Sequence, residues 1–390
     1  MKHRARHAAW RDTHWRSVLV QALVLVALAA LAVWLIGNVA SALSRRHVAS
    51  GFAFLGHTAG FGIAQTLIDY TEESSYGRAM WVGLANTVLV SVISIVLATI
   101  IGFIVGIGRL STNWLVAKLC TAYVEVLRNM PLLLQLLFWY FGVLAALPAP
   151  RDSLTIGSSI ALNNRGLFIP LLINQPGSWI VWAALAAGLA AAYGLYRWAQ
   201  LRQLATGHRP AVWWAILLAM FGVPLAALYA TGVPFSVSRP VLEGFNYSGG
   251  LQVIPELAGL TLALSIYTAA YIAEIVRAGL LSVARGQREA AQALGLQPGL
   301  SLRLILIPQA LRVIIPPLAS EYLSLTKNST LAIVIGYPDL VSVFAGTVLN
   351  QTGQAIEILS IVMAIYLALS LVTSLLMNIY NRSHAQEGLG

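Results

Sequence analysis

The spacing of charged residues constrains this chain more than any other feature. Asp, Glu, Lys and Arg are missing from Ser17–Ser44, Ala79–Gly108, Asn129–Pro150, Gly166–Tyr196, Pro210–Ser238, Leu257–Ala273 and Ile358–Asn381. One charge at the centre of a bilayer costs about 2.5–3.5 kcal/mol, and a span needs about 20 apolar residues. Soluble domains carry about 25% charged residues; here the share is 10%, with 58% hydrophobic. An eighth apolar stretch, Leu304–Leu325, holds Arg312 and Glu321. The pattern predicts an all-α membrane protein of about eight transmembrane helices, near 18–36, 81–107, 121–147, 179–196, 211–231, 254–275, 304–325 and 357–380.

An even number of spans puts both termini on one side. With both termini cytoplasmic, 17 of the 24 Lys and Arg residues fall inside and 7 outside. Basic residues collect in cytoplasmic loops, so this orientation is expected, and the net charge of +10 reports topology rather than nucleic-acid binding. The first span follows a basic tail, but its apolar run is long for a signal peptide and no A-x-A site follows. It is read as an uncleaved anchor. Segments 37–78, 148–178 and 232–253 are richer in Gly, Ser, Asn and Pro and are expected to be external loops.

Absences exclude several chemistries. Cys120 is the single cysteine, which excludes an internal disulfide or a CxxC site. The seven histidines fall almost entirely in tails and loops with no HExxH pair, so no metal site is expected. None of the three lysines follows a glycine, so the chain has no GxxxxGK[ST] phosphate loop and no cofactor is expected in it. With no GxSxG either, no catalytic residue is expected and the chain is not read as an enzyme.

The residues between two late spans, 274–303, form a hydrophilic island. Within it, Arg285–Leu294 is an alanine-rich amphipathic segment, followed by Gly295 as a helix stop and Pro298-Gly299 as a turn. A short helix on the cytoplasmic face suits docking to a soluble partner. Glu289-Ala290-Ala291, three residues, Gly295, nine residues and Ile305-Leu306-Ile307-Pro308 follow the EAA-x3-G-x9-I-x-L-P signature, with Ile307 in place of Leu. On these residues the chain resembles the permease subunits of ABC importers.

Two aromatic-x-x-Glu-x-x-Arg patterns, Tyr123 with Glu125 and Arg128 and Tyr271 with Glu274 and Arg277, narrow the resemblance to type-I permeases for polar amino acids. Glu and Arg three apart on one helix face can pair, giving Glu125–Arg128 and Glu274–Arg277 as expected interfacial ion pairs. Arg128-Asn129-Met130-Pro131 departs from that subfamily's Arg-Gly-Thr-Pro. The resemblance covers Leu84–Tyr380. It implies a five-span type-I core (81–107, 121–147, 254–275, 304–325, 357–380) within a permease domain at 79–380. An insertion at 148–253 carries two extra spans, 17–78 adds one more with an external loop, and 1–16 and 381–390 are cytoplasmic tails. This enlarged layout resembles the general L-amino-acid permeases of Gram-negative bacteria.

The resemblance implies an inner-membrane subunit that forms a pathway for amino acids, with coupling through Glu289, Ala290, Ala291, Gly295 and Pro308. It implies an ATPase subunit that binds ATP, a second homologous permease (a heterodimer, or alternatively a homodimer) and a periplasmic amino-acid-binding protein. Three prolines, Pro308, Pro316 and Pro317, are expected to unwind the 304–325 span locally and make it a pathway wall. Glu321 and Lys327, with Ser324, Asn328 and Ser329, then offer opposite charges and polar groups to a zwitterion, and Asn86 and Thr87 face a neighbour or the pathway. The competing reading is an ion-coupled secondary transporter, which should repeat across the whole chain; only the local ExxR echo does.

Overall fold

The computed structural model describes residues 13–45, 51–157, 159–208 and 210–386. The basic tail at 1–12, Arg209 and the last four residues of the C-terminal tail lie outside the described residues. The chain divides into two compact units, Met1–Met130 with Leu264–Gly390, and Pro131–Ala263.

The expected spans are helices. In the first unit, α1 (Thr13–Arg45) contains the apolar stretch Ser17–Leu31, and α2 (Tyr76–Gly108) and α3 (Trp114–Asn129) follow. The second unit holds α4 (Leu132–Leu137), continued by a π-helical turn at Phe138–Leu144, then α5 (Ser178–Thr206), α6 (Trp213–Leu217) and α7 (Val223–Ala230). Then come α8 (Pro255–Leu281), α9 (Arg285–Ala293), α10 (Pro298–Ser301), α11 (Ile307–Asn328), α12 (Leu349–Thr352) and α13 (Ala355–Gln386). Among the described residues six helical stretches are long and apolar enough to cross a membrane alone, and α3 with α4 makes a seventh when counted as one broken span.

Three expectations need correction. The continuous span near 121–147 breaks at Met130, whose φ of −98° and ψ of 129° are extended. Pro131 is the cause, because its ring disfavours helix at the residue before it. Second, Pro316 and Pro317 lie inside an unbroken α11. The irregularity instead precedes Pro308, as a π-turn at Leu302–Leu306 that relieves the crowding of the proline ring against the carbonyl four residues back.

Third, the insertion is not all loop and helix. β1 (Leu154–Ile156), β2 (Ile160–Asn163), β3 (Gly166–Ile169) and a late strand, Leu251–Val253, form a four-stranded antiparallel sheet. β4 (Leu171–Asn174) pairs with β5 (Phe235–Ser238), β6 (Val241–Glu243) pairs with β7 (Asn246–Ser248), and the late strand is β8. Ala161 and Phe168 face each other across β2 and β3, and both are buried, as period-two side-chain alternation requires.

In the first unit the buried side of α2 is made of small and polar residues at helical spacing, including Ala79, Gly83, Asn86, Val90, Ser94, Ala98, Gly102 and Gly106. A β-carbon on Gly102 would lie 2.6 Å from the Ile272 side chain and one on Gly106 2.7 Å from the Ala273 carbonyl. Such close backbone approach is how helices pack without a hydrophobic driving force between them. A second cluster joins Phe54 and Tyr76 to Leu340, Phe344, Val348 and Ile358. The apolar stretch Pro255–Ser282 is 67% buried, against 29% or less for the other five spans. Those five therefore present apolar walls to lipid or to another chain.

Candidate coupling and pathway sites

The coupling segment folds close to its predicted bounds. Gly295 adopts φ +72°, the Gly295 N–H donates to the Gln292 carbonyl at 2.9 Å, and the Leu296 N–H donates to Ala291 at 3.1 Å. This is a Schellman ending, and glycine reaches that φ with no Cβ penalty. Glu289 and Ala290 are exposed and available to a partner. Ala291, one residue or about 100° further round the helix, is 1% exposed and turned into its own chain. Of the two alanines of the signature, Ala290 alone is exposed. Gln309 donates to Gln287 at 3.3 Å and ties α9 to α11, in which Pro308 is exposed near the first turn.

The two ExxR patterns behave differently. Glu274 accepts from Arg277 at 2.5 Å and also pairs with Arg109 at the end of α2, a partner that local spacing does not indicate. Two guanidiniums on one carboxylate hold α2 to α8 and leave one net positive charge. Among the described residues Glu125 and Arg128 make no such pair: Arg128 lies over the Tyr271 ring at 5.1 Å, and Tyr271 donates to the Arg128 carbonyl at 3.4 Å. Arg128 is drawn off its own helix face by an aromatic partner on α8. Arg109, Glu125, Arg128, Asn129, Tyr271 and Glu274 line a polar cavity of about 390 Å³.

The charges assigned to a zwitterion do not share a face. Glu321 and Lys327 are six residues apart on α11, about 9 Å along the axis and about 120° round it. Glu321 is half-buried within electrostatic reach of Arg128 and Tyr267, whereas Lys327 is exposed. Ser324 is exposed, Asn328 half-buried, and buried Ser329 donates to the Thr326 carbonyl at 2.8 Å.

Asn86 and Thr87 are fully buried and act as staples between α2 and the segment after α11. Asn86 Nδ2 donates to the Gln65 and Pro338 carbonyls at 2.9 Å each, Tyr337 donates to the Asn86 carbonyl at 3.0 Å, and the Leu340 N–H donates to Thr87 Oγ1 at 3.0 Å. Of the two alternatives open for them, a neighbour or the pathway, these contacts are those of a packing role. Next to them lies fully buried Asp339, not foreseen from sequence, which accepts from the Ser342 N–H at 2.8 Å and from Tyr366 at 3.3 Å. The only signal would have been its isolation between Glu321 and Glu357 in an otherwise acid-free stretch.

Residues 209–385 match the family model described as a binding-protein-dependent transport system inner membrane component. The general L-amino acid transport system permease protein AapQ of Rhizobium johnstonii is 51% identical over 97% of this chain and 94% of its own length. The Escherichia coli K12 protein YhdX is 51% identical over 94% and 93%. The glutamate/glutamine/aspartate/asparagine transport system permease protein BztB of Rhodobacter capsulatus is 43% identical over 95% and 94%. The chain belongs to the amino-acid ABC transporter permeases, inner-membrane subunits of binding-protein-dependent transport systems that form a multi-pass transport channel and are not enzymes.

Proposed function

We propose that this chain lines the pathway of an ABC importer for a broad range of polar L-amino acids. The observation that carries the reading is the nine-residue α9, ended by Gly295 and exposing Glu289 and Ala290 as a seat for an ATPase subunit. ATP is bound by that partner, the chain itself needing no cofactor, and a periplasmic binding protein delivers the substrate. The apolar walls of α2 and α13 are covered by a second, homologous permease and by lipid, with a heterodimer favoured. Both termini face the cytoplasm, which supports placing α9 beside the ATPase and the strand-bearing insertion outside. Within the pathway Glu321 remains the candidate contact for an ammonium group, now opposite Arg128 rather than Lys327.

Reconstitution with the ATPase, the second permease and the binding protein tests this. Uptake of labelled glutamine, glutamate and aspartate should require ATP and persist when ion gradients are collapsed. Gradient-driven uptake without ATP would favour the secondary-transporter reading instead.

A further inference from the structure

The second unit contains a cleft of about 410 Å³ that none of the pathway residues touches, within the range of about 300–1,000 Å³ typical of small-molecule sites. Its walls come from three stretches far apart in sequence: Tyr140 and Phe141 on the π-turn, Asn164 and Arg165 between β2 and β3, and the run from Gln252 on β8 to Glu256 in the first turn of α8.

The backbone of Arg165 is pinned from both sides. Its N–H donates to Asn163 Oδ1 at 2.8 Å, and its carbonyl accepts from Gln252 Nε2 at 2.9 Å. Gly166 closes the turn at φ +126°, and a β-carbon there would lie 2.2 Å from the Val253 carbonyl, so the turn is seated directly against the strand that leads into α8. The Arg165 side chain, by contrast, is exposed and has no hydrogen-bond or ion-pair partner among the described residues. Glu256 is half-buried and oriented by Tyr140, which donates to its Oε1 at 2.8 Å, while its other oxygen accepts no hydrogen bond there. A guanidinium and a carboxylate thus line one cleft without pairing, the carboxylate oriented by Tyr140 and the arginine placed by its pinned backbone.

We propose that this cleft is an outer binding site for free α-amino acids, with Arg165 taking the α-carboxylate, the free oxygen of Glu256 taking the α-ammonium, and the Asn164 and Gln252 amides at its rim. A guanidinium matches a carboxylate as a two-pronged donor, and a carboxylate accepts from an ammonium, so a zwitterion satisfies both charges at once. Side-chain identity is read only weakly in such a site, which fits a permease of broad range. The proposal rests on the proposed function, which places the insertion on the outer side.

The test is binding of tritiated L-glutamine to the assembled transporter in nanodiscs, without binding protein, with the α-amide and the N-acetyl derivative of glutamine as competitors. Each derivative removes one charge. Both should bind at least about tenfold more weakly than glutamine, the scale of a lost charge-assisted hydrogen bond. Arg165→Gln should erase the discrimination against the amide and Glu256→Gln that against the N-acetyl compound, each leaving the other intact, and Arg165→Lys should recover part of the first. A merely structural role would move all three ligands together. Equal binding of the three ligands to the unaltered transporter overturns the site, whatever the variants do. Unchanged glutamine binding in both variants, with weakened docking of the binding protein, also overturns it, in favour of a protein contact. Uptake measured in parallel separates the two conclusions: loss of the cleft with ATP-driven uptake intact leaves the proposed function standing, whereas no amino-acid uptake by the unaltered complex removes that function.

Discussion

At the residue scale, the polar groups with the largest consequences for folding are those whose partners are distant in sequence. Glu274 shows the limit of local reading: its partner three residues on was foreseen, while Arg109, 165 residues away, was not. The pattern at Glu125 and Arg128 looks identical in sequence, yet Tyr271 captures the arginine. Asp339 is a further case. Burial pushes its carboxyl from the usual 3.8 up to about 7. A carboxyl raised in the folded state stabilises the fold fully below the unfolded pKa, and that contribution is lost as pH rises through the folded value. The melting temperature of the purified complex should therefore decline as pH rises between about 4 and about 7. Asp339→Asn should flatten that slope while keeping an acceptor for the Ser342 N–H, and Asp339→Ala should destabilise by about 1–3 kcal/mol at neutral pH because it leaves buried donors unmet. A slope unchanged by Asp339→Asn would assign the pH dependence to another group.

At the element scale, α9 separates two kinds of alanine. Ala290 is exposed and Ala291 buried, so the same substitution should fail in two ways. Ala290→Arg should leave the permease assembled with its ligands bound but reduce ATPase stimulation and uptake together, because it obstructs the docking face. Ala291→Arg should lower the amount of folded permease, since it forces a long cation into a packed site. Gly295→Asp, which must strain to hold φ +72°, should fray the helix end and act like Ala290→Arg. The measurements are the folded yield by size exclusion and the ATPase rate in proteoliposomes; full coupling in Ala290→Arg would remove α9 from the interface. Helix α11 makes a related point. Its three prolines looked alike in sequence, but only Pro308 has an irregular turn beside it, because a π-turn there can absorb the crowding.

At the scale of the whole molecule, the orientation of the spans sets everything that α9 and the insertion are proposed to do. In a Cys120→Ala background, a cysteine at exposed Thr155 should react with an impermeant thiol reagent in intact cells, and one at exposed Gln203, near the end of α5, should react only after permeabilisation. Equal labelling of both would refute the eight-span arrangement. The sequence by itself determined the solvent this chain folds in, the positions of most of its apolar helices and the position and ending of α9. Each of these follows from local physics: charge is costly in hydrocarbon, and Gly295, followed by Pro298-Gly299, ends α9 through its own left-handed conformation. The EAA-x3-G-x9-I-x-L-P signature was also legible in the sequence, since it is contiguous. Only the tertiary structure decided that the insertion carries three small antiparallel sheets, because short strands of three or four residues are specified by the strands they meet rather than by their own pattern. It alone gave Asn86 and Thr87 their packing partners, divided Glu321 from Lys327, and brought Arg165 and Glu256 to one cleft. Hydrogen bonding, burial and charge proximity join residues as far as 253 positions apart, and one-dimensional spacing carries no record of which of them will meet.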